Sequence, residues 1–326
     1  MLSAFSRLCD IAHPAFVKAL DYLQIEARFV PKNTSDDLFG TMNVDKMESA
    51  IDRNTICIVA SAPCYPYSVV DDIEAICAVA KRKGDIPVHV DHCFGGFCLS
   101  FLDCRAFDFR VDGVCSMSCD MHKQAGADKG CSAVIYRSFE LRRYQFYAFP
   151  NWPGGLYASS GLQGSSNGGL KAVAWAMLVH KGRRYLREKA MKLYSNVERL
   201  RKSITEKVDD CKVLGHPVAC GVAFKFTGKL ADYDYAIGEA LKEVGGWDVS
   251  RMQFPSCLTF QASQHWIDEI EHLVEDIQKA AQLVVEHPEN YTKSGMAGVY
   301  GTAASFPDRG MITESVITYL DVIMTP

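Results

Sequence analysis

Two side chains with catalytic chemistry, Lys123 and Asp91, stand where buried strands are expected to end. Apolar runs over 111–117 and 131–136 flank the stretch that contains Lys123, and short apolar runs bounded by Gly and Asp are typical of buried strands. Lys123 is therefore predicted to lie on the turn between two strands, at the mouth of an α/β sheet, where such folds bind ligands. A single loop lysine, taken alone, is more often solvated than catalytic.

The stretch 86–97 adds a carboxylate, because a predicted strand ends at Asp91 and a Gly95-Gly96 turn follows. An isolated aspartate there is usually a turn or helix-cap residue. A lysine amine attacks an aldehyde when burial or nearby positive charge lowers its pKa, and a carboxylate under a pyridine nitrogen keeps that ring protonated. The order of aspartate, short helix, strand and His122-Lys123 thus favours a pyridoxal 5'-phosphate (PLP) site. His122 and Lys129 would supply positive charge there.

Composition excludes several other classes of protein. The chain has 326 residues, 48% of them hydrophobic, which is enough for a large core and predicts two domains. Its net charge of −4 gives no basic surface for nucleic acid, and no run reaches the roughly 18 apolar residues of a transmembrane span. The 13 cysteines are scattered without Cys-x-x-Cys pairs, which predicts reduced thiols in a cytosolic protein and no metal site.

The elements that position the two residues follow a β–α alternation. Strands are predicted over 26–31 and 55–61 and helices over 45–52 and 71–83, which indicates a parallel sheet covered by helices. A long helix is predicted from Leu170 to about Val208. Strands over 221–226 and 257–261 and helices over 233–244 and 266–286 then predict a smaller α+β domain. The domains are accordingly placed at 1–208 and 209–326.

Several motifs together resemble one family. Val88-His-Val-Asp91, Gly95-Gly96-Phe97, 107–114, His122-Lys123 and Lys129-Gly130 are similar to the sphingosine-1-phosphate lyase family, part of the PLP-dependent group II decarboxylase superfamily. Further similarity follows at 144–146, 152–159, 164–165, 245–247, 253–255 and 295–301, so it spans about 12–324. The resemblance implies an α/β PLP-dependent transferase-like fold (fold type I), with a parallel-rich sheet, helices on both faces and a smaller C-terminal α+β domain.

The resemblance also implies roles for individual residues. Lys123 would carry PLP over Asp91, with Tyr157 as a second catalytic residue. The other residues implied to contact the cofactor are His13, His122, Gly164 and Ser165. Lys129 is implied to contact the substrate phosphate. The implied reaction cleaves phosphorylated sphingoid bases to a fatty aldehyde and phosphoethanolamine. The implied protein is a homodimer with shared sites, in the cytoplasm or at the cytosolic face of the endoplasmic reticulum.

Four departures from the family leave alternatives open. The family has a Gly-Gly-Thr/Ser phosphate turn and a membrane anchor upstream of His13, and residues 1–11 do not resemble its preceding strand, so the chain is expected to be N-terminally truncated and to bind PLP weakly. Ala62, His92 and Ser166 replace a hydroxyl residue, an alanine and an arginine, and His92 is expected either to clash with the ring or to reshape its pocket. One alternative is a weakened or inactive paralogue that acts as a dimerising or regulatory protein. The other is a PLP-dependent amino-acid decarboxylase.

Overall fold

The structure, a computed structural model, describes residues 4–218, 220–262, 269–293 and 295–325. The chain divides into two compact units. The first consists of Met1–Val197, Leu214–Gly221 and Ala262–Gln264, and the second of Glu198–Val213, Val222–Gln261 and His265–Pro326. The predicted boundary at 208 between a cofactor domain and a small domain stays a prediction.

The first unit is built on a six-stranded sheet in the order β2-β1-β3-β4-β5-β6. All neighbouring strands are parallel except β5 and β6, which are antiparallel. The strands are β1 (Phe5–Cys9), β2 (Glu26–Val30), β3 (Thr55–Ser61), β4 (Val88–Asp91), β5 (Val114–Asp120) and β6 (Ser132–Tyr136), and the helices between them are α1 (Pro14–Tyr22), α2 (Val44–Ala50) and α3 (Ile73–Arg82). The predicted β–α alternation and parallel sheet are confirmed.

Strand β1 is a feature that the sequence analysis missed. All five of its residues are buried, although Ser6 and Arg7 interrupt the apolar pattern expected of a buried strand. The Arg7 guanidinium is nearly inaccessible, and its Nη2 lies 3.5 Å from Asp52 Oδ2. A strand therefore does precede His13, because an ion pair compensates the buried charge.

The core explains why these runs form strands and helices. Helix α3 begins at the cap residue Asp72, whose side chain accepts a hydrogen bond from Ala75 N at 3.1 Å. Its buried face packs in the same hydrophobic cluster as the sheet, a cluster that includes Ile58, Ala60, Ile73, Ile76, Val79, Ala80, Val88 and Val90. Burial of these side chains fixes strands β3 and β4, and so fixes where both strands end.

The carboxyl ends of β3, β4 and β5 meet at one edge of the sheet. Ser61 pairs with Asp91, and Asp91 pairs with Ser118. The following Gly95 and Gly96 allow close approach, because a Cβ on Gly95 would collide with Pro63 and a Cβ on Gly96 with Cys119. Strand β5 extends to Asp120, three residues beyond the predicted apolar run, and this brings Lys123 to the same edge.

The buried carboxyl group of Asp71 connects the end of β3 to the backbone of Met42. Its Oδ1 accepts a hydrogen bond from Met42 N at 2.6 Å and its Oδ2 accepts one from Ser61 N at 2.7 Å. Burial raises the pKa of Asp71 to about 6 from its ordinary value of 3.8, although both hydrogen bonds act to lower it. The folded chain therefore binds this proton more tightly than the unfolded chain does.

We expect the stability contributed by Asp71 to fall as the pH rises. It is fully present below about pH 4 and lost as the pH passes through about 6, because only the folded state raises this pKa. The difference between 3.8 and about 6 corresponds to about 3 kcal/mol. Urea unfolding of the wild type and of Asp71→Asn should show their difference in unfolding free energy shrinking by this amount from pH 4 to pH 7. A constant difference would contradict the assignment.

The rest of the first unit carries exposed aromatic surface and most of a long helix. After α4 (Phe139–Arg142), strands β7 (Tyr147–Trp152) and β8 (Gly155–Ser159) form an antiparallel hairpin whose side chains are almost all exposed. Helix α5 spans Gly168–Lys207, as predicted within two residues. The sequence did not predict its break at Gly182, which has φ 64° and ψ 170°.

The second unit contains a four-stranded sheet in the order β11-β12-β10-β9. Its strands are β9 (Cys211–Val213), β10 (Gly221–Phe226), β11 (Ser250–Met252) and β12 (Cys257–Gln261), and its helices are α6 (Asp234–Gly245), α7 (Ile270–Glu286), α8 (Pro288–Tyr291), α9 (Gly295–Ser305) and α10 (Arg309–Met324). The predicted elements over 221–226, 233–244 and 257–261 are confirmed. The predicted helix over 266–286 is found from Ile270 onward, and 266–268 lie outside the described residues. No helix in the described part of the chain is long and apolar enough to cross a bilayer.

Candidate active site

Lys123 lies on the turn after β5, as predicted, and its amine has two partners. Nζ lies 2.8 Å from Asp120 Oδ2 and donates a hydrogen bond to Cys93 Sγ at 3.1 Å. Asp120 is the last residue of β5, so the strand delivers a carboxylate three residues before the lysine. The amine is half-buried and held by this pair of contacts.

The electrostatic surroundings of Lys123 differ from those predicted. Burial acts to lower the pKa of Lys123, but the hydrogen bonds with Asp120 and Cys93 outweigh it and raise the pKa above the ordinary value. His122 does not reverse this, since its Nε2 lies 3.6 Å from Asp120 Oδ2 and its Nδ1 bonds to Cys131 O at 2.8 Å. The prediction that neighbouring positive charge lowers the lysine pKa was wrong, because a carboxylate is the nearer group.

Asp91 is a buried, ionised carboxylate at the end of β4. Its Oδ1 accepts hydrogen bonds from Ser118 Oγ at 2.6 Å and from Cys93 N at 3.1 Å. Burial acts to raise the pKa of Asp91, but the hydrogen bonds from Cys93 and Ser118 outweigh it, so the pKa lies below its ordinary value. A carboxylate that stays charged when buried is suited to pair with a cationic ring nitrogen.

A single pocket brings Lys123, Asp91 and His13 together. It has a volume of about 220 Å³, which suits one substituted ring rather than a long chain. His13 also accepts a hydrogen bond from Ala15 N at 3.2 Å through Nδ1, so it caps α1 as well as lining the pocket. The other lining residues are Ile11, Ser61, Pro63, Cys64, Tyr65, Cys93 and Phe94.

The other predicted site residues do not line this pocket. Lys129 is exposed in the turn before β6. Tyr157 lies on the exposed hairpin, where its ring contacts those of Tyr147 and Trp152. Gly164 and Ser165 lie in an exposed segment before α5. The roles predicted for these residues and for His122 stay predictions.

One of the departures from the family, His92, takes a different place from the one expected. His92 was expected to crowd a bound ring, but its own ring is buried against Phe107, with centroids 4.4 Å apart, and does not line the pocket. Ala62 is also fully buried, and Ser166 is exposed. The expected clash was wrong, because the side chain that follows β4 turns into the core, while the alternative that His92 reshapes the pocket stays a prediction.

Sequence reasoning missed several residues that position the lysine. The run Ser116-Met-Ser-Cys-Asp120 contained the signal for Ser118 and Asp120, since alternate residues of a strand share a face. Lys181 and Lys189 of α5 donate hydrogen bonds to Ala125 O at 2.8 Å and to Gln124 O at 2.6 Å, holding the loop after Lys123. Within the described residues there is no cluster of metal ligands.

The pocket fits the ring of PLP. Lys123 offers the amine, Asp91 the buried carboxylate, and the small volume matches a single ring. Gly95 and Gly96 leave no room for a Cβ beside the strands that carry these groups, which keeps the walls close together. Lys123 and Asp91 would hold the cofactor from the ends of β5 and β4.

Comparison with known proteins identifies the family. The profile of the pyridoxal-dependent decarboxylase conserved domain matches residues 6–227. Sphingosine-1-phosphate lyase of Dictyostelium discoideum is 35% identical over 319 residues, covering 96% of this chain and 58% of that protein. Sphingosine-1-phosphate lyase of Arabidopsis thaliana is 34% identical over 317 residues, covering 96% and 56%. The chain thus spans a little over half the length of these relatives.

Solved structures agree on the fold. A sphingosine-1-phosphate lyase from Burkholderia pseudomallei superposes with a TM-score of 0.79 at 31% identity, covering 86% of this chain and 63% of that one. Glutamate decarboxylase of Lactobacillus brevis, at 20% identity, shares the fold with a TM-score of 0.74 over 86% of this chain and 66% of that one. The fold is the fold type I architecture of PLP-dependent enzymes. This chain belongs to the pyridoxal-dependent decarboxylase family, whose cofactor is PLP, and the relatives that it is similar to in sequence are sphingosine-1-phosphate lyases.

Proposed function

We propose that this protein is a PLP-dependent carbon–carbon lyase that acts on phosphorylated sphingoid bases. The proposal rests on one observation. The Lys123 amine and the ionised Asp91 carboxylate line the same cavity, and its volume suits one ring. Similarity to sphingosine-1-phosphate lyases over 96% of the chain supports this substrate class over amino acids. Decarboxylase structures at 20% identity or below support the fold alone.

Each residue of the pocket has a definable task in such a reaction. Bound PLP supplies an electron sink for the electron pair left when a carbon–carbon bond breaks. Lys123 would hold the cofactor through its amine, and Asp120 Oδ2, 2.8 Å from Nζ, is placed to accept the proton that the amine must lose. Asp91 would keep a positive charge on the ring nitrogen. His13, at the start of α1, would cover one face of the ring.

The overall reaction also requires two proton transfers. The substrate hydroxyl loses its proton as its carbon becomes an aldehyde, and the amine-bearing carbon gains a proton to leave as phosphoethanolamine. Lys129 is proposed to pair with the substrate phosphate and Tyr157 to assist proton transfer. Neither lines the pocket in the single chain, so we propose that residues 157–165 complete the site of a second copy in a homodimer.

The hairpin formed by β7 and β8 supports that homodimer. Trp152 and Leu156 are exposed there, and exposed apolar patches of this kind mark interaction surfaces. Gly164 and Ser165 lie close by in sequence and would reach the cofactor phosphate of the partner. The cytoplasmic location implied by the resemblance stays a prediction.

A direct assay tests the proposed function. The purified full chain, supplied with PLP and a phosphorylated long-chain base, should release fatty aldehyde and phosphoethanolamine in equal amounts, measured by mass spectrometry. Lys129→Ala should raise KM at least tenfold, by losing a charge-assisted contact of about 1.5–3 kcal/mol, and should leave PLP binding unchanged. Release of carbon dioxide from amino acids would support the decarboxylase alternative. PLP binding without turnover would support the inactive paralogue.

A further inference from the structure

His92 lies directly after Asp91 but faces the other way. Asp91 and Cys93, its two neighbours in sequence, line the pocket, whereas His92 is 2% exposed and packs on Phe107 at an interplanar angle of 40°. Its side chain therefore lies behind the pocket wall and makes its contacts within the core.

The polar contacts of His92 fix which nitrogen carries the hydrogen. Nδ1 is hydrogen-bonded to the carbonyl oxygen of Ala62, and Nε2 lies 3.4 Å from Ser100 Oγ. Burial lowers the pKa of His92, so the ring is neutral near pH 7 and has one N–H. Because a carbonyl oxygen only accepts hydrogen bonds, that N–H is on Nδ1.

The Ala62 carbonyl belongs to the segment that follows β3, and His92 belongs to the segment that follows β4, the neighbouring strand. Residues 61–65 line the pocket through Ser61, Pro63, Cys64 and Tyr65, and residues 91–94 line it through Asp91, Cys93 and Phe94. One backbone hydrogen bond, from Ala62 N to Asp91 O at 2.9 Å, already joins the two segments. The Nδ1–H bond of His92 is a second connection, made by a side chain.

We propose that His92 is a positioning residue that sets the width of the pocket by holding the Ala62 carbonyl through its Nδ1–H. The contact fixes residues 61–65 relative to Asp91, and so defines the slot into which a flat ring fits. The role in positioning a ring rests on the proposed PLP site, but the connection between the two segments is testable without cofactor.

Hydrogen exchange of the full chain without PLP tests the connection. An asparagine amide at position 92 places its nitrogen where Nδ1 lies, whereas a glutamine amide reaches the place of Nε2. We expect the amides of 61–68 to exchange at the wild-type rate in His92→Asn and about tenfold faster in His92→Gln and His92→Ala. Ser100→Ala, which removes the partner of Nε2 and the Ser100 hydrogen bond to Gly96 O but leaves the Nδ1 contact, should match the wild type in 61–68. Exchange in 76–80, in helix α3 of the same unit, is the reference for the stability of that unit.

A PLP titration followed by visible absorbance gives the second readout. His92→Asn should bind PLP as the wild type does, and His92→Gln should bind it about tenfold more weakly. Equal exchange of 61–68 in the Asn and Gln variants would overturn the positioning role, even if the wild type binds PLP tightly. A wild type that binds no PLP would overturn the proposed function, while the exchange rates would still decide the role of His92. Should His92→Ala fail to fold, the Asn and Gln pair decides alone.

Discussion

Lys123→Ala is expected to abolish the covalent attachment of PLP and to lower any lyase activity by roughly a thousandfold or more. Lys123 is the one amine among the described residues that line the pocket, and its Nζ is already desolvated and oriented by Asp120 and Cys93. Mixing the wild type with PLP and then reducing it with borohydride should leave a stable adduct on this lysine, located by peptide mass spectrometry. The variant should carry none.

Lys129→Ala is the matched control for this experiment. It removes a lysine six residues away in the same connection, but one that is exposed and outside the pocket. The borohydride adduct should survive this change in full. An adduct trapped on Lys129, or spread over surface lysines in both variants, would show that the pocket lysine has been assigned wrongly.

Asp91→Asn is expected to produce the second largest loss. The amide has the size of the carboxylate but not its charge, so a protonated ring nitrogen would lose a charge-assisted hydrogen bond of about 1.5–3 kcal/mol. PLP should therefore bind roughly 10 to 150 times more weakly. Turnover should fall by roughly a hundredfold or more, because the neutral amide no longer favours the cationic ring.

Two serines of β5 provide graded controls for Asp91. Ser118 donates to Asp91 Oδ1 and helps to keep the pKa of that carboxyl low, so Ser118→Ala should weaken PLP binding by less than about tenfold. Ser116 is hydrogen-bonded to His89 Nδ1 instead, at 2.8 Å, and Ser116→Ala should leave PLP binding unchanged. If Asp91→Asn binds PLP as tightly as the Ser116→Ala protein does, the carboxylate does not face the ring nitrogen.

The sequence predicted those parts of the structure that depend on local pattern. Lys123 and Asp91 were correctly placed after strands because apolar runs precede both, although β5 ends three residues beyond its run and β6, predicted to be buried, is mostly exposed. The same criterion failed for β1, where the buried Arg7 pairs with Asp52, 45 residues further along. An ion pair between distant residues leaves no trace in a local hydrophobic pattern.

The candidate site was predictable in its residues but not in its electrostatics. Which groups surround Lys123 depends on the length of β5 and on side-chain directions, and three extra residues of strand put Asp120 beside the amine. The same reason explains His92, whose direction at the end of β4 decides whether it obstructs the ring or supports the wall. Side-chain direction depends on packing, which one sequence does not show.

The strand order of the large sheet has a consequence for how this site can evolve. From β1 the chain winds outward to β2 and then returns across β1 to add β3, β4 and β5 on the other side, so the winding reverses between β1 and β3. At such a topological switch point the connections leave in opposite directions and open a crevice above the carboxyl ends of the strands. Ile11 and His13 follow β1, Ser61 ends β3 and Pro63 follows it, so the pocket occupies this crevice. The path of the backbone therefore provides the cavity, and a descendant that lost Lys123 would keep a cleft ready for a different ligand.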